Sequence, residues 1–375
     1  MSDNAIHKGL DGVVVDSTRI SKVMPEINSL VYYGYPVQEL VEHCSFEEVA
    51  WLIWHGELPG ARDLVSFRTY ERARREISPT LLEVIGKFPR EAHPMDVLRT
   101  AVSFLGMEAA KPERQDAEAN LARSVDLLAK IPTIIGAFYR LRKGEEVIPP
   151  RDDLSIAENF FHLCFGKVPA PEVVRAFEAS LILYAEHGFN ASTFTTRVVV
   201  SSMADLHGGV TAGIASLKGP LHGGANEAVM KMLLEIDDPG RARDWMLAAL
   251  RDKKKVMGFG HRVYKHGDSR VPTMKKYARK MAEFTGQSKW LDIADILEAT
   301  MLEQKGIYAN LDFPSGPAYY MMGIDIDMYT PIFVTARITG WTAHIMEQLA
   351  NNSLIRPLSN YTGPAQRTVV PLEKR

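Results

Sequence analysis

Cysteine is scarce: Cys44 and Cys164 are the two in 375 residues, with no CxxC pair and no Cys/His zinc spacing. A disulfide framework is thereby excluded, no metal site is expected, and a reducing compartment fits. Net charge is nearly absent too, at 44 Lys+Arg against 46 Asp+Glu, which argues against nucleic acid or a membrane surface as a partner held by bulk charge. No apolar run reaches the ~18 residues needed to cross a bilayer. The polar start MSDNAIHKG has no signal-peptide core, so a soluble cytoplasmic protein is expected. Low-complexity blocks, repeats of 20–50 residues and strand-then-helix alternation are missing as well, which sets aside solenoids and a Rossmann sheet. GxSxG, HExxH, Walker A and the kinase motifs do not occur.

What is present is length and helical periodicity. At roughly 150 residues per domain the chain divides into two or three units. Ser45 and then Glu48 make a capping-box pattern that opens a helix over 45–55. The periodicity predicts further helices at 61–76, 95–106, 114–129, 171–186, 192–206, 224–235, 240–252, 271–284, 288–304 and 330–350. GVVVD (12–16) and YYGYP (32–36) read as short strands. Gly208-Gly209, GPLHGG (219–224), GFGH (258–261) and DFPSGP (312–317) mark short connections, all in the second half, where ligands can reach exposed backbone corners.

Three of these segments carry chemistry. In GPLHGGANEAV (219–229), His222 precedes a helix predicted from about Ala225. Positive charge at that N-terminus favours a neutral ring able to donate to an oxyanion, and simple capping is an equal alternative. In KKKVMGFGHRVYKHGDSR (253–270), His261 sits among two glycines and the cations Lys253, Lys254, Lys255, Arg262, Lys265 and Arg270. Backbone N–H groups at Gly258 and Gly260 can approach a phosphate or carboxylate, although a solvated basic helix end also accounts for the cluster. In NLDFPSGPAYYMMG (310–323), Asp312 is a candidate base, or else a cap for the next helix or the anchor of an Asx turn. Arg337 and Arg356 stand in apolar or uncharged surroundings, as paired or ligand-facing guanidiniums do. These residues by themselves describe a polar, anion-binding, acid/base site and no particular reaction.

At those positions the chain resembles the citrate synthase family: EHGFNASTFTTR (186–197), GPLHGGANE (219–227), GFGHRVY (258–264) and NLDFPSGPAYY (310–320) occur in the family's order. SFEEVAWLIWHGELP (45–59) is similar to its opening helices, so the likeness covers nearly the whole chain. HPMDVLRT (93–100) and the ending ITGWTAHIMEQLANNSLIRPLSNYTGP are most similar to bacterial, actinobacterial-type 2-methylcitrate synthases.

The resemblance implies an all-α homodimer with a large domain (1–222 and 325–375) and a small inserted one (223–324). His222 would stabilise the enol or enolate of an acyl-CoA thioester, Asp312 would take its α-proton, and His261 would polarise the ketone of oxaloacetate. His187, Arg270, Arg337 and Arg356 match positions that hold the oxaloacetate carboxylates, with Arg356 reaching across from a second subunit. Lys255, Val256, Met257, Gly258 and Phe259 match the CoA-binding loop, and Lys265 stands where a basic residue meets the CoA phosphates. The implied activity joins propionyl-CoA, or acetyl-CoA in the citrate-forming alternative, to oxaloacetate, with no tightly bound cofactor. A non-catalytic CoA- or dicarboxylate-binding helical protein is the reading from another class.

Overall fold

The computed structural model describes residues 6–109, 115–264 and 266–375. A three-stranded antiparallel sheet comes first: β1 (Ser21–Met24), β2 (Ser29–Tyr32) and β3 (Tyr35–Pro36), with Ser21 opposite Tyr32 and Tyr32 opposite Tyr35. Strand formation at 32–36 agrees with the sequence pattern. The GVVVD run forms no strand; it lies exposed ahead of β1, outside the sheet.

Helices then take over: α1 (Val37–His43), α2 (Phe46–His55), α3 (Ala61–Arg72), α4 (Pro79–Gly86), α5 (Pro94–Glu108), α6 (Ala117–Arg142), α7 (Ile156–Phe165) and α8 (Pro171–Tyr184). They continue with α9 (Ala191–Ser201), α10 (Leu206–Leu217), α11 (Ala225–Ile236), α12 (Pro239–Arg251), α13 (Val271–Thr285), α14 (Lys289–Lys305), α15 (Asp312–Met321) and α16 (Tyr329–Ala350). The α2 capping box forms as expected: Glu48 N–H donates to Ser45 Oγ, and Ser45 N–H to Glu48 Oε2 at 2.8 Å. Helices α1, α4, α7, α10 and α15 are additions to the sequence-based set; α1 and α4 are too brief to show a clear period.

The fold is organised around α16, buried without interruption from Tyr329 to Ile345, its polar members Arg337 and His344 included. Helices α2, α6, α8, α9 and α10 pack on it. Gly208-Gly209, a connection by composition, lies inside α10. Its role is close packing: a Cβ at Gly209 would come within 2.8 Å of Val200, and one at Gly213 within 2.7 Å of Thr196 and 3.2 Å of the Trp341 ring. The predicted helix 192–206 ends early, at Ser201 of α9, and α10, which the sequence pattern does not show, begins at Leu206, where Asp205 caps it through Gly208 N–H.

A second group of helices comprises α11 to α15, in which α15 packs on α11 and α13, and α12 on α14. DFPSGP begins α15 and is no turn. Pro314 falls in its first turn, where the N–H has no helical partner to lose. Gly316 lets the helix approach the Asn226 carbonyl of α11, 3.1 Å from where a Cβ would stand. Tertiary packing overrides the turn propensity of Pro-Ser-Gly-Pro here. Among the described residues no helix is long and apolar enough to cross a membrane.

Candidate active site

His222 lies in the turn leading to α11, as the sequence indicates. Its Nε2 faces the first turn of α9: Ser192 N–H donates to it at 3.3 Å and Ser192 Oγ lies 2.7 Å away. A backbone N–H can only donate, so Nε2 accepts and the ring proton sits on Nδ1. Asn190 caps α9 through Thr193 N–H, and Trp341 Nε1–H holds the Ser192 hydroxyl at 3.1 Å. Burial, reinforced by the positive charge of Arg337, pushes His222 down to about 3. Burial and the Arg337 charge both favour the neutral ring.

His261 has the complementary tautomer. Its Nδ1 accepts from Val263 N–H at 3.1 Å and Tyr264 N–H at 3.3 Å, which leaves the proton on Nε2. Burial and then Arg270 lower its pKa to about 4. The loop before it is pinned to the approach of α15: Gly260 N–H donates to Tyr308 O (2.8 Å), Asn310 N–H to Gly258 O (2.9 Å), and Asn310 Nδ2 to Gly260 O (3.0 Å). Gly258 has φ +82°, and a Cβ there would stand 2.6 Å from Val229 and 2.9 Å from Phe313, so only glycine fits. Two segments 50 residues apart, GFGH and NLDF, are thus one structural unit.

Asp312 is the first residue of α15 and does not cap it. Its Oδ1 accepts the hydroxyl of Tyr184, the last residue of α8, at 2.8 Å. Asp312 is half-buried by surface, and its deep placement raises the pKa to about 6, against the lowering effects of the Tyr184 hydrogen bond and Arg270. Tyr184→Phe removes the donor that favours the ionised form, so an activity needing this carboxylate should have its acid limb displaced to higher pH. The kcat/KM profile measures that displacement.

The cations differ in their pairing. Arg270 is buried and forms a two-point pair with buried Asp268, Nε to Oδ1 at 2.9 Å and Nη2 to Oδ2 at 2.6 Å. Asp268 Oδ2 also accepts Leu311 N–H at 3.2 Å, which ties Arg270 to the start of α15. Arg337, in the middle of α16, has no such partner. Its Nε donates to Tyr184 O at 2.8 Å, while its buried Nη1 has no hydrogen bond. Burial lowers its pKa to about 10, opposed chiefly by Glu186. A buried guanidinium with no ion pair or hydrogen bond to a carboxylate among the described residues is a costly arrangement unless an anion is received there. His187 is buried too, with Nε2 unpartnered, and burial with Arg270, His261 and Arg337 holds its pKa well down.

A chain of contacts runs through the site. The His187 and His261 rings are 4.9 Å apart; Phe333 lies 6.2 Å from His222 and 4.1 Å from Tyr184, and Arg337 stacks on it at 4.9 Å. In Lys255 to Phe259, Lys255 is exposed, Val256 and Gly258 are buried, and Met257 and Phe259 are half-buried. Lys265 lies outside the described residues. Arg356 is exposed on the extended segment after α16 and joins none of these contacts. Ser192, Asp268, Phe333 and above all Tyr184 contact the candidate residues without a sequence signal of their own; Tyr184 ends an apolar helix and has the local composition of core. No group of His, Cys, Asp and Glu suited to a metal occurs among the described residues.

The family model described as "Citrate synthase, C-terminal domain" matches residues 9–358. This chain belongs to the citrate synthase family. The fold agrees: a citrate synthase of Thermoplasma acidophilum, solved as a ternary complex with carboxymethyl coenzyme A and oxaloacetate, superposes with a TM-score of 0.94 at 33% identity, covering 99% of this chain and 100% of that one. A 2-methylcitrate synthase of Mycobacterium tuberculosis (strain H37Rv) is 56% identical over 97% of this chain and 92% of its own length. A citrate synthase of Mycolicibacterium smegmatis is also 56% identical, over 97% of each chain. Citrate synthase family membership makes this chain an acyl-transferring enzyme.

Proposed function

We propose that the chain is a 2-methylcitrate synthase, joining propionyl-CoA to oxaloacetate with uptake of water and release of CoA, and that acetyl-CoA is an alternative substrate. The observation that carries the reading is the opposed pair of tautomers: Nδ1–H on His222 and Nε2–H on His261, each set by backbone donors, with Asp312 in the same contact network.

Asp312 takes the α-proton of the thioester. An α-proton is far less acidic than a carboxylic acid, so the transfer succeeds only if the charge arriving on the thioester oxygen is met at once by the Nδ1–H of His222. The resulting α-carbon nucleophile attacks the ketone carbon of oxaloacetate, whose oxygen gains charge and accepts a hydrogen bond from the Nε2–H of His261; the proton it finally keeps is drawn from the water that enters for hydrolysis. Water then cleaves the thioester and frees the thiol of CoA. His187, Arg270 and Arg337 hold the oxaloacetate carboxylates, and Lys255 to Phe259, with Lys265, hold the CoA moiety. No tightly bound cofactor is required.

Residues 223–324 act as a small domain closing on 1–222 and 325–375 to exclude water from the reactive enolate. Gly323, with φ +79°, supports a pivot at one boundary. The segment after α16 is exposed along nearly all its length, with Leu354, Leu358, Tyr361 and Leu372 uncovered, which supports a homodimer in which the segment lies on a second copy and delivers Arg356 to that copy's site. Two free, buried cysteines suit a cytoplasmic location.

Thiol release from propionyl-CoA and from acetyl-CoA, at saturating oxaloacetate, tests the proposal. A larger kcat/KM for propionyl-CoA is expected, within the roughly 10–200-fold that one methylene can supply. A clear preference for acetyl-CoA would transfer the chain to citrate formation. Binding of both ligands without thiol release would leave a non-catalytic module.

A further inference from the structure

Glu186 is next to His187 and has no part in the proposed chemistry, yet it is fully buried. One of its oxygens, Oε1, accepts three donors from three places: the Ser21 hydroxyl of β1 at 2.8 Å, His344 Nε2 of α16 at 2.9 Å, and the N–H of Gly188 in its own loop. The bond to Gly188 closes a ring around residue 187, and so sets the backbone from which that imidazole projects. Tyr32 clamps the same loop, its hydroxyl donating to Glu186 O at 3.0 Å.

The groups behind Glu186 are ordered as well. His344 Nδ1 lies 3.1 Å from Arg197 Nη1, which can only donate, so Nδ1 accepts and Nε2 carries the proton given to Glu186. Arg197, itself buried, is held by Glu347 at 2.9 Å and by Asp16 at 3.1 Å. Three donors on one oxygen favour the ionised carboxylate despite burial. Its other oxygen, Oε2, has no hydrogen bond, and α16 passes it at Gly340, where a Cβ would overlap it. Three residues earlier on α16 is Arg337, for which Glu186 is the main offset to burial.

We propose that Glu186 is a positioning residue for oxaloacetate, setting the loop from which His187 projects. His344, backed by Arg197, orients it. The inference rests on the proposed function and adds to it a residue that touches neither substrate.

Steady-state kinetics of the full-length Glu186→Gln and Ser21→Ala variants test it. Gln keeps the shape and loses the charge; Ser21→Ala removes one donor to the carboxylate together with the hydroxyl oxygen that accepts Gly188 N–H at 2.9 Å, leaving that N–H to Glu186 alone. The KM for oxaloacetate should rise about tenfold in Glu186→Gln and about two- to fourfold in Ser21→Ala, with kcat and the acyl-CoA KM changed less than about twofold, the signature of lost uniform binding. A merely structural role would lower kcat by reducing the folded fraction and leave the oxaloacetate KM where it was; that result would overturn the inference, as would an unchanged KM in Ser21→Ala if Glu186→Gln does not fold. Absence of oxaloacetate-dependent thiol release in the unmodified protein would instead overturn the proposed function, and the inference with it.

Discussion

Asp312→Asn is expected to lower oxaloacetate-dependent thiol release by about 10²–10⁴-fold, the usual contribution of a positioned general base. Oxaloacetate binding should survive, because Arg270, Arg337 and His187 are untouched and Asn Oδ1 still accepts the Tyr184 hydroxyl. The same variant should gain stability. The carboxyl of Asp312 is raised from 3.8 to about 6 by burial, so above pH 6 the folded state carries an ion that the unfolded chain holds more easily, a cost of order 3 kcal/mol. Asn removes that cost. The gain in melting temperature should be full above pH 6, shrink as pH falls through 6, and be absent below about 4, where the acid is neutral in both states. Thermal melts across this range, beside the activity assay, check both halves. A variant as active as its parent would remove Asp312 from the mechanism.

Arg337→Met should behave alike for a different reason. Its guanidinium is buried with no carboxylate in direct contact, Glu186 being held instead by Ser21, His344 and Gly188, and burial has already lowered its pKa to about 10. Met fills much of the same space without a charge, so the ligand-free protein should melt at a higher temperature. Oxaloacetate, however, would meet an apolar side chain where its carboxylate needs a cation. Losing one partner of a buried charge pair costs roughly 2–5 kcal/mol, or about 30-fold to several thousand-fold in affinity. The stabilisation that oxaloacetate confers on the parent in a thermal-shift assay should therefore vanish in the variant. Arg270→Met is the useful contrast. Asp268 would then be left buried and unpaired, so that variant should be destabilised, and the melting temperatures of the two should move in opposite directions.

Helix-rich architecture is legible in the chain because long amphipathic runs and the Ser45–Glu48 capping box are local signals, and α2 forms with the very bonds the pattern specifies. Where the local signal and the packing disagree, packing wins. DFPSGP has turn composition yet opens α15, since Gly316 admits α11 at close range, and Gly208-Gly209 looks like a break yet serves the contact of α10 with α9 and α16. His222, His261, Arg270, Asp312 and Arg337 stand out as polar groups beside glycines or in apolar surroundings, and the family resemblance adds His187. Tyr184 does not, because a tyrosine at the end of an apolar helix has the composition of core.

Taken alone, the order of residues determined the all-helical class, the family and the side chains able to move protons or hold carboxylates, because spacing and residue type act over a few turns of chain. It could not determine which nitrogen of His222 or His261 bears the proton, that Asp312 is held near pH 6, or that Arg337 is unpaired while Arg270 is not. Most of those properties arise from groups tens to hundreds of residues away, Ser192, Tyr184 and Glu186 among them, and an electrostatic environment exists only once folding has brought its sources together and removed the water between them.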